Sequence, residues 1–505
     1  MELKRGYSQT EVGVIPDDWG VSTVGNEFCI QLGKMLDSEK NVGVAKPYLG
    51  NRAVQWRRID VSNIGLMKMT PSDLQRFLLR SGDLLVCEGG EIGRAAIWDE
   101  QLPECYYQKA LHRLRPVRGY DPSLMLYILE RWCSTGFLSN FATQTSIAHL
   151  PKDRFERVPL PVPPTQAEQL AIAEALGDAD AMIERLDKLI AKKRDIKHAA
   201  MQQLLTGKNR LPRFGPTRGH KRTKLGLIPN DWDVKPAEAL CLKIQDGTHF
   251  SPTVDGGEYL YVTSKNVHHG RLDVSDAGRI NASQHQAIYR RCDVKRGDLL
   301  LTKDGANTGN AALNTLDEEF SLLSSVALLR FNTNAHAPAY YLHQILSEPA
   351  QMRIKELMSG NAISRLTLAK IRKLLFMVPP LPEQRAIAQV LSDMDAEITA
   401  LEARCNKARA IKVGMMQALL TEESDSYEQD RPNREEDSAP RREAFPRHPE
   451  IRPPGRLDGA NRKQQHRGDP PTTLPQRETA LRRRAYYPRP LPVSEGRQRH
   501  KPKPL

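Results

Sequence analysis

The chain has 505 residues, a formal net charge of +13 and a mean hydropathy of −0.53. The length predicts about two to four domains, and the positive charge favours a polyanionic partner such as nucleic acid. The sequence contains no run of roughly eighteen apolar residues, which argues against a membrane-spanning helix, and we expect a cytoplasmic protein.

The most informative feature is an internal repeat. The heptapeptide GVIPDDW at residues 13–19 returns as GLIPNDW at residues 226–232. SGDLLVCEGGEIG at 81–93 returns as RGDLLLTKDGANTG at 296–309, with 215 positions between the two GDLL elements. The offset hardly drifts, so two copies of one unit of about 210 residues fill residues 1–422. Each function of the chain should therefore occur twice.

Each copy is predicted to have two parts. The first mixes short β-type runs, such as YLYVTSKNV, with Gly, Asn and Asp turns, and the second is helical. A pair of prolines stands between the two parts in both copies, and proline bars an upstream helix. The predicted boundaries are a first domain at 1–164, a long helix at 165–207, a basic linker at 208–224, a second domain at 225–380, a second long helix at 381–422 and a disordered Pro/Arg-rich tail at 423–505.

The two long helices carry a heptad seam and contain no proline after their first turn. Two matching apolar seams in one chain can bury each other, so we predict an intramolecular antiparallel coiled coil with a globular domain at each end. The alternative is that each helix packs on its own domain. The seam residues are Leu176, Ile183, Leu186 and Ile190 in the first helix and Leu391, Ile398, Leu401 and Leu419 in the second.

Charged residues interrupt these helices in both copies. Lys193, Lys197 and Lys412 fall on the seam, and we interpret them as side chains that extend into solvent at wet helix ends. Two Asp-x-Asp pairs lie at 178–180 and 393–395. Side chains two positions apart on a helix do not face each other, so these carboxylates predict solvated or salt-bridged groups rather than a metal site.

Neither copy contains a common catalytic signature. The stretches GGEIG and DGANTG fit neither the P-loop nor the dinucleotide pattern, and we expect tight turns there. The sequence has no D/N-P-P-Y/F motif of amino-methyltransferases and no H-E-x-x-H motif, and its seven cysteines form no C-x-x-C pair. The pair His268–His269 has no third ligand in view. These absences predict a chain without catalytic residues, metal or cofactor of its own.

Several motifs, in the same order in both copies, resemble the specificity subunits of Type I restriction–modification systems over residues 1–422. In both copies they include G-x-I-P-x-x-W and the GDLL element with its glycine turn, and the second copy adds DGTHFSP at 246–252. The stretches TSIAHLPKDRFERVPLPVPP and NAISRLTLAKIRKLLFMVPP lead into PTQAEQLAIAEAL and LPEQRAIAQVL, which open the long helices. Each motif alone is modest, but their repeated order is specific.

The resemblance implies an α+β chain with two duplicated target-recognition domains, two conserved helical regions and no catalysis of its own. Such a subunit binds double-stranded DNA at two half-sites separated by a fixed spacer. The resemblance also implies partners, namely two modification (methyltransferase) subunits and restriction subunits that translocate and cut DNA. S-adenosylmethionine, ATP and Mg are accordingly expected on those partners and not on this chain.

The sequence departs from the family pattern at two places. Residues 29–47 lack a D-G-T-H match, so the first half is expected to present a different loop to DNA. Beyond Glu422 the family pattern stops. The tail either adds non-specific attraction to phosphates or is a dispensable extension.

The side chains that read DNA are expected in the loops of each copy, because grooves and phosphates select donors, acceptors and cations. Trp19 and Trp232 are predicted to anchor the core, Trp56 to pack, and Asp83 and Asp298 to serve turns. The candidate DNA-binding residues are Arg52, Gln55, Arg57, Arg58, Glu88, Glu91 and Arg94 in the first copy, and Thr248, His249, Ser264, Lys265, Asn266, His268, Lys303, Asp304 and Asn307 in the second.

Two other functions compete with this interpretation. One is a fused restriction–methylation enzyme that uses unrecognised residues, and it would methylate or cut DNA without partners. The other is a coiled-coil scaffold that binds no specific sequence, and it would leave no footprint on DNA.

Overall fold

The computed structural model describes residues 5–37, 41–143, 148–215, 219–358 and 365–420. The predictions for the tail at 423–505, for part of the linker and for parts of the motifs before the long helices lie outside these residues. Two globular lobes alternate with two long helices. Among the helices of the described part, none combines the length and apolarity that a bilayer crossing requires.

The first lobe is built on a four-stranded antiparallel sheet with a three-stranded sheet beside it. The four strands lie in the order Ala95–Ile97, Leu84–Cys87, Leu111–Pro116, Phe28–Leu32. The three strands lie in the order Tyr106–Tyr107, Val44–Leu49, Gly65–Met69, and the first two are parallel. Two-stranded ribbons join Tyr7–Thr10 to Gly13–Pro16, Gly20–Thr23 to Pro159–Val162, and Val54–Gln55 to Arg58–Ile59.

The second lobe repeats the strand order of both sheets. Its four-stranded sheet has the order Ala311–Leu313, Leu299–Thr302, Val326–Phe331, Cys241–Asp246. Its three-stranded sheet has the order Phe320–Leu322, Tyr259–Val262, Gly278–Ile280, again with the first two parallel. Ribbons join His220–Thr223 to Gly226–Pro229 and Asp233–Pro236 to Leu375–Val378.

Short helices connect these strands, and the long helices follow each lobe. The first lobe contains Val24–Glu27, Pro71–Phe77, Pro122–Thr135, the 3-10 turn Phe137–Asn140 and Lys152–Phe155. The 3-10 turn Pro212–Phe214 precedes the second lobe, which contains Ala237–Leu240, Ala282–Tyr289, Pro338–Leu346, Glu348–Met358 and Leu368–Arg372. The first long helix is Gln166–Leu204 and the second is Leu381–Leu420.

In each four-stranded sheet the strand of the GDLL element is buried on both faces, so it is buried along its whole length rather than in alternation. In Leu84–Cys87, Leu84 and Val86 enter one hydrophobic core, while Leu85 and Cys87 enter another on the opposite face. This follows from the two-residue period of a strand. Leu299–Thr302 divides its side chains between two cores in the same way. In each lobe one core, which we call the proximal core, includes residues of the long helices, and the other, the distal core, does not.

The two long helices pack against each other in antiparallel orientation. Leu186 and Ile190 form a buried cluster with Cys405 and Ala408, with Ile183 and Leu401 packed against it. Cross-helix ion pairs show the direction, because the residue number in the second helix falls as that in the first rises: Asp187–Arg409, Arg194–Glu402 and Lys197–Asp395.

The seam continues into the proximal cores at both ends. Leu176 lies in the proximal core of the first lobe together with Met416 and Leu420 of the second helix, and Leu419 packs against the same core. Leu391 lies in the proximal core of the second lobe with Leu204 of the first helix. Each lobe therefore packs on the beginning of its own helix and on the end of the other one. This excludes the alternative in which each long helix packs on its own lobe alone.

A hydrogen bond from a tryptophan connects each lobe to the first turn of its own long helix. Trp19 Nε1 donates a hydrogen bond to Glu168 at 3.0 Å, and Trp232 Nε1 donates one to Glu383 at 3.1 Å. Glu383 is fully buried and also accepts from Arg210. The two repeated Trp residues of the G-x-I-P-x-D-W motif are thus anchors between lobe and helix.

Ion pairs at both helix–lobe junctions correct the interpretation of the seam lysines as solvated. In the first junction, buried Lys412 contacts Asp180 at 2.9 Å and Glu130 at 3.2 Å. The hydroxyl of Tyr127 donates to Asp180, and Lys412 lies 5.4 Å from the Tyr127 ring centre. Carboxylates from a lobe and from the opposite helix therefore hold this ammonium group away from solvent.

The second junction repeats the lysine–aspartate pair with a histidine in place of the tyrosine. Lys197 pairs with Asp395, and Lys193 pairs with Glu397. His343 stands at the position of Tyr127 and lies 4.0 Å from Asp395. Burial lowers the pKa of His343 to about 4, although Asp395 opposes this shift.

We predict that acid destabilises the second junction through His343. The folded protein holds this group neutral, whereas the unfolded chain binds its proton near pH 6.5, so stability is full above about pH 6.5 and falls as pH drops towards 4. The free energy of unfolding is expected to fall by about 2 kcal/mol between pH 7 and pH 5, measured by urea unfolding at each pH. His343→Gln should remove this component, while His198→Gln, at an exposed histidine on the first long helix, should keep it. An identical pH profile for His343→Gln and the wild type would contradict the assignment.

Candidate nucleic-acid interface

In the second lobe, four loops leave neighbouring strands at one edge of the two sheets. Backbone hydrogen bonds join them: Thr248 N–H donates to Leu322, Ser324 N–H donates back to Thr248, and Lys303 N–H donates to Ser325, each at 2.8 Å. We call this surface the second loop face. It comprises residues 247–250, 263–268, 303–309 and 323–325.

The first lobe presents the same arrangement at the equivalent strand ends. Lys34 N–H donates to Tyr107 at 3.1 Å, Lys109 N–H donates back to Lys34 at 2.7 Å, and Glu88 N–H donates to Ala110 at 2.9 Å. These three bonds match those of the second lobe at offsets of 214 or 215 positions. The first loop face comprises residues 33–36, 50–53, 88–94 and 108–110.

A glycine at the same place in both faces shows that the two halves share one backbone crossing, although residues 29–47 lack the D-G-T-H match. A Cβ on Gly247 would meet the carbonyl oxygen of Leu322 at 1.9 Å, and one on Gly33 would meet that of Gln108 at 2.3 Å. Both loops therefore require glycine where they cross the neighbouring chain. The sequence alone does not reveal this match because only the glycine of D-G-T-H is retained, in Leu32-Gly33-Lys34. The backbone is shared, and the side chains differ.

Three candidates of the second lobe are buried and have protein partners. Thr248 Oγ1 accepts from Phe250 N–H. Asn266 Oδ1 accepts from Thr263 N–H, and its amide donates to Asp276. Lys303 is paired with Asp304 and with buried Asp246. These groups shape the loops, and their polar atoms are already engaged.

Among the first-lobe candidates, half-buried Arg57 is engaged by carboxylates of the protein. Its backbone takes a left-handed φ of 59° at a two-residue hairpin turn, and its guanidinium pairs with Glu130 and Asp180 at the first junction. We therefore withdraw it as a DNA contact. The neighbouring Trp56 donates to Glu91 at 2.7 Å, and Glu91 also accepts from Arg94.

The remaining candidates lie at or near the surface. Arg94 donates to the carbonyl of Asn51, Gln55 donates to that of Arg52, and Asn307 reaches that of Ser264 at 3.5 Å, so neighbouring loops of each face support one another. Exposed Lys109 and Arg291 also lie on or beside the loop faces, and no motif had marked them. The exposed predicted residues are Arg52, Arg58 and Glu91 in the first lobe and His249, Lys265, His268 and Asn307 in the second, while Glu88, Ser264 and Asp304 are half-buried.

The aspartates of the two GDLL elements lie at the strand ends opposite the loop faces. Asp83 accepts from Arg115 and from the backbone of Arg80, and Asp298 accepts from Arg330 and from the backbone of Lys295. Each carboxylate thus closes its turn and clamps the neighbouring strand.

The chemistry of the loop faces is suited to binding. Burial raises the pKa of Cys87 to about 11 and that of Cys292 to about 12, so both thiols beside the faces are protonated at neutral pH and poor nucleophiles. Within the described residues, no group of three or more His, Cys, Asp and Glu side chains could hold a metal ion. The exposed groups include cations, amides and imidazoles, which can bind phosphates and the edges of bases, and the carboxylate of Glu91.

Comparison with known proteins agrees with this arrangement. The family described as "Type I restriction modification DNA specificity domain" matches the chain twice, over residues 16–192 and 229–408. Each match contains most of one lobe and a large part of the long helix that follows it.

Relatives and solved structures extend over most of the chain. The MjaVIII specificity subunit of Methanocaldococcus jannaschii is 23% identical over 81% of this chain and 93% of its own length. The EcoKI specificity subunit of Escherichia coli K12 is 21% identical over 81% of this chain and 89% of its own length. The crystal structure of a Type I S subunit from M. genitalium aligns with a TM-score of 0.53 at 14% identity, covering 84% of this chain and 99% of that one, and it supports the fold.

Proposed function

The chain belongs to the family of Type I restriction–modification specificity subunits, and we propose that it reads a bipartite DNA target with one half-site on each loop face. It carries two DNA specificity domains, and no helix of its described part could span a membrane. The bipartite target, the recruitment of partners and the absence of catalysis in this chain are parts of the proposal.

The observation that carries the proposal is the equivalence of the two loop faces. The same backbone bonds and the same crossing glycine recur in both lobes, while the exposed side chains differ, with Lys109 standing where the second lobe has Ser324. One scaffold with two sets of polar groups suits the reading of two different short sequences, because base edges are distinguished by the pattern of donors and acceptors.

The long helices supply the fixed distance between the half-sites. A helix of 39 residues is about 58 Å long, and pairing with a partner that docks on both lobes makes it stiff. One turn of duplex spans about 34 Å, so half-sites near this separation present one face of the DNA to both lobes. A flexible linker would allow a range of spacers, whereas this rod selects one.

An apolar stripe on the first long helix is a suitable docking surface for modification subunits. Met182, Leu189 and Ile196 recur every seven residues and are between 38% and 45% exposed. They flank the seam on one side, while the cross-helix pairs Asp187–Arg409 and Arg194–Glu402 close its other side. In this proposal the partners bring S-adenosylmethionine for methylation of adenine, and restriction subunits bring ATP and Mg.

Substitutions of exposed residues in one lobe should change one half of the target only. Methylome sequencing of a host with the partner subunits, with and without this gene, first gives the target motif. Lys265→Ala with His268→Ala should then relax one half, and Arg52→Ala with Arg58→Ala the other, each lost bidentate contact lowering discrimination by about 5- to 150-fold. Simultaneous change of both halves, or of neither, would contradict the assignment of one half-site to each lobe.

Lengthening the rod should lengthen the spacer. Four residues inserted after Ile190 and after Arg404, positions at the same level of the helix pair, add about 6 Å, or one to two base pairs. Local unwinding accommodates a four-residue insertion in a coiled coil. Methylome sequencing should show both half-sites unchanged and the spacer longer. The same four residues inserted after Glu422 serve as the control. Retention of the original spacer by the helix variant would contradict the proposal that the long helices set the distance between the half-sites.

Removing the apolar stripe should uncouple partner binding from DNA reading. The triple variant Met182→Ser, Leu189→Ser, Ile196→Ser is expected to weaken binding of the modification subunit by about 100-fold or more, because each apolar side chain contributes about 1.5–3 kcal/mol. Co-purification measures the partner, and footprinting measures DNA binding, which should persist. Leu227→Ser with Leu242→Ser, exposed apolar residues of the second lobe, is the matched control. Full partner binding by the triple variant would show that the modification subunits dock on another surface.

A further inference from the structure

A cleft opens beside the second loop face, between the loop at 247–250 and the helix Ala282–Tyr289. Its volume is 510 Å³, within the range of about 300–1,000 Å³ that is usual for ligand pockets. His249 and Phe250 form one wall, and Ile288 and Arg291 form the other. The cleft is therefore large enough for one nucleotide and is lined by both apolar and cationic groups.

A buried carboxylate organises the charges around this cleft. Asp246 is 3% exposed and lies 3.4 Å from Arg291, 3.3 Å from His249 and 3.5 Å from Lys303. One anion thus gathers Arg291, His249 and Lys303, and Lys303 is also paired with Asp304. Arg291 is therefore the cation at the wall of the cleft. Arg291 and His249 are both more than half exposed, so both side chains are accessible to an external anion such as a phosphate.

Phe250 supplies a stacking surface at the mouth of the same cleft. Its side chain is 53% exposed, while its backbone N–H is fixed by Thr248 Oγ1 at 3.2 Å. An aromatic ring held at the surface beside cations is the combination that binds unpaired nucleotides, with the base on the ring and the phosphate on the cation. We propose that this cleft holds one unstacked nucleotide of the bound DNA, with its base on Phe250 and its phosphate at Arg291.

The first lobe provides an internal comparison. Arg76 occupies the place of Arg291, since each stands six positions before the glycine of GDLL. Leu36 stands three positions after the crossing glycine, as Phe250 does, and is 49% exposed. The cation is retained and the aromatic ring is not. The inference, which rests on the proposed function, therefore applies to the second half-site alone.

The test uses the full chain and fluorescence anisotropy with labelled duplexes that contain the target found by methylome sequencing. An abasic site is placed opposite each base in turn, because an unpaired base costs less to extrude. At one position of the second half-site the wild type should bind about tenfold tighter or more, and no position of the first half-site should show this gain.

Variants of the two walls identify the cleft. Phe250→Ala should weaken binding to the best abasic duplex by about 5- to 150-fold, and Phe250→Tyr should retain the gain. Arg291→Gln should also lose it. The control is Arg296→Gln, because Arg296 is similarly exposed and pairs with Asp317 at the opposite end of the strand Leu299–Thr302.

Each outcome decides between the claims. If the wild type does not prefer its target to a scrambled duplex, the proposed function and the cleft proposal both fail. If it prefers the target but no abasic position improves binding, or Phe250→Ala binds as the wild type does, only the cleft proposal fails. Displacement of the duplex by a free nucleoside monophosphate at millimolar concentration would assign the cleft to a soluble nucleotide and overturn its role in DNA reading.

Discussion

The antiparallel pairing of the two long helices is the constraint on which the rest of the molecule depends. Neither helix has an apolar stripe that its own lobe could cover from end to end. The middle of the stripe is buried by the partner helix, and its ends are buried in the proximal cores. Each lobe consequently needs residues from both halves of the chain to complete its core. Separation of the two long helices would expose both proximal cores. The folding of the lobes and the distance between the loop faces therefore depend on the same helix pairing.

Charge adds specificity to this apolar contact. Ion pairs along the helices are exposed and individually worth little, whereas Lys412 and Glu383 are buried, and removal of a partner from such a group is costly. These buried groups lie where lobe meets helix, at the first junction and at the start of the second helix. A shift of either helix by one residue would leave them unpaired. Electrostatics at the two ends and packing in the middle thus set the register of the two long helices. This register in turn sets the distance between the loop faces.

Much of this architecture could be predicted from the sequence, since it rests on patterns that recur twice. The internal repeat predicts two equivalent lobes, and the heptad pattern predicts two paired helices. The tryptophans of G-x-I-P-x-D-W were marked as anchors, although their glutamate acceptors lie about 150 positions away and no spacing could reveal them. The polar residues of the loops were harder. Thr248, Asn266 and Lys303 have the chemistry of base readers, but burial gives them structural roles, and burial of a loop residue depends on contacts distant in sequence.

The division of each lobe into two cores explains how one scaffold can carry different reading surfaces. The proximal core is tied to the helices and must be kept for the rod to form, whereas the distal core contains no residue of the long helices. The loop faces lie at the edge of the sheets between the cores, where the backbone is fixed by bonds to neighbouring loops and the side chains project outward. Substitution there changes polar groups at the surface without disturbing the apolar contacts that set the rod. Replacement of Leu36 by an aromatic residue, for example, would alter the first face at a site already half exposed. The geometry therefore separates where the DNA is read from how far apart it is read, and either property can change while the other stays constant.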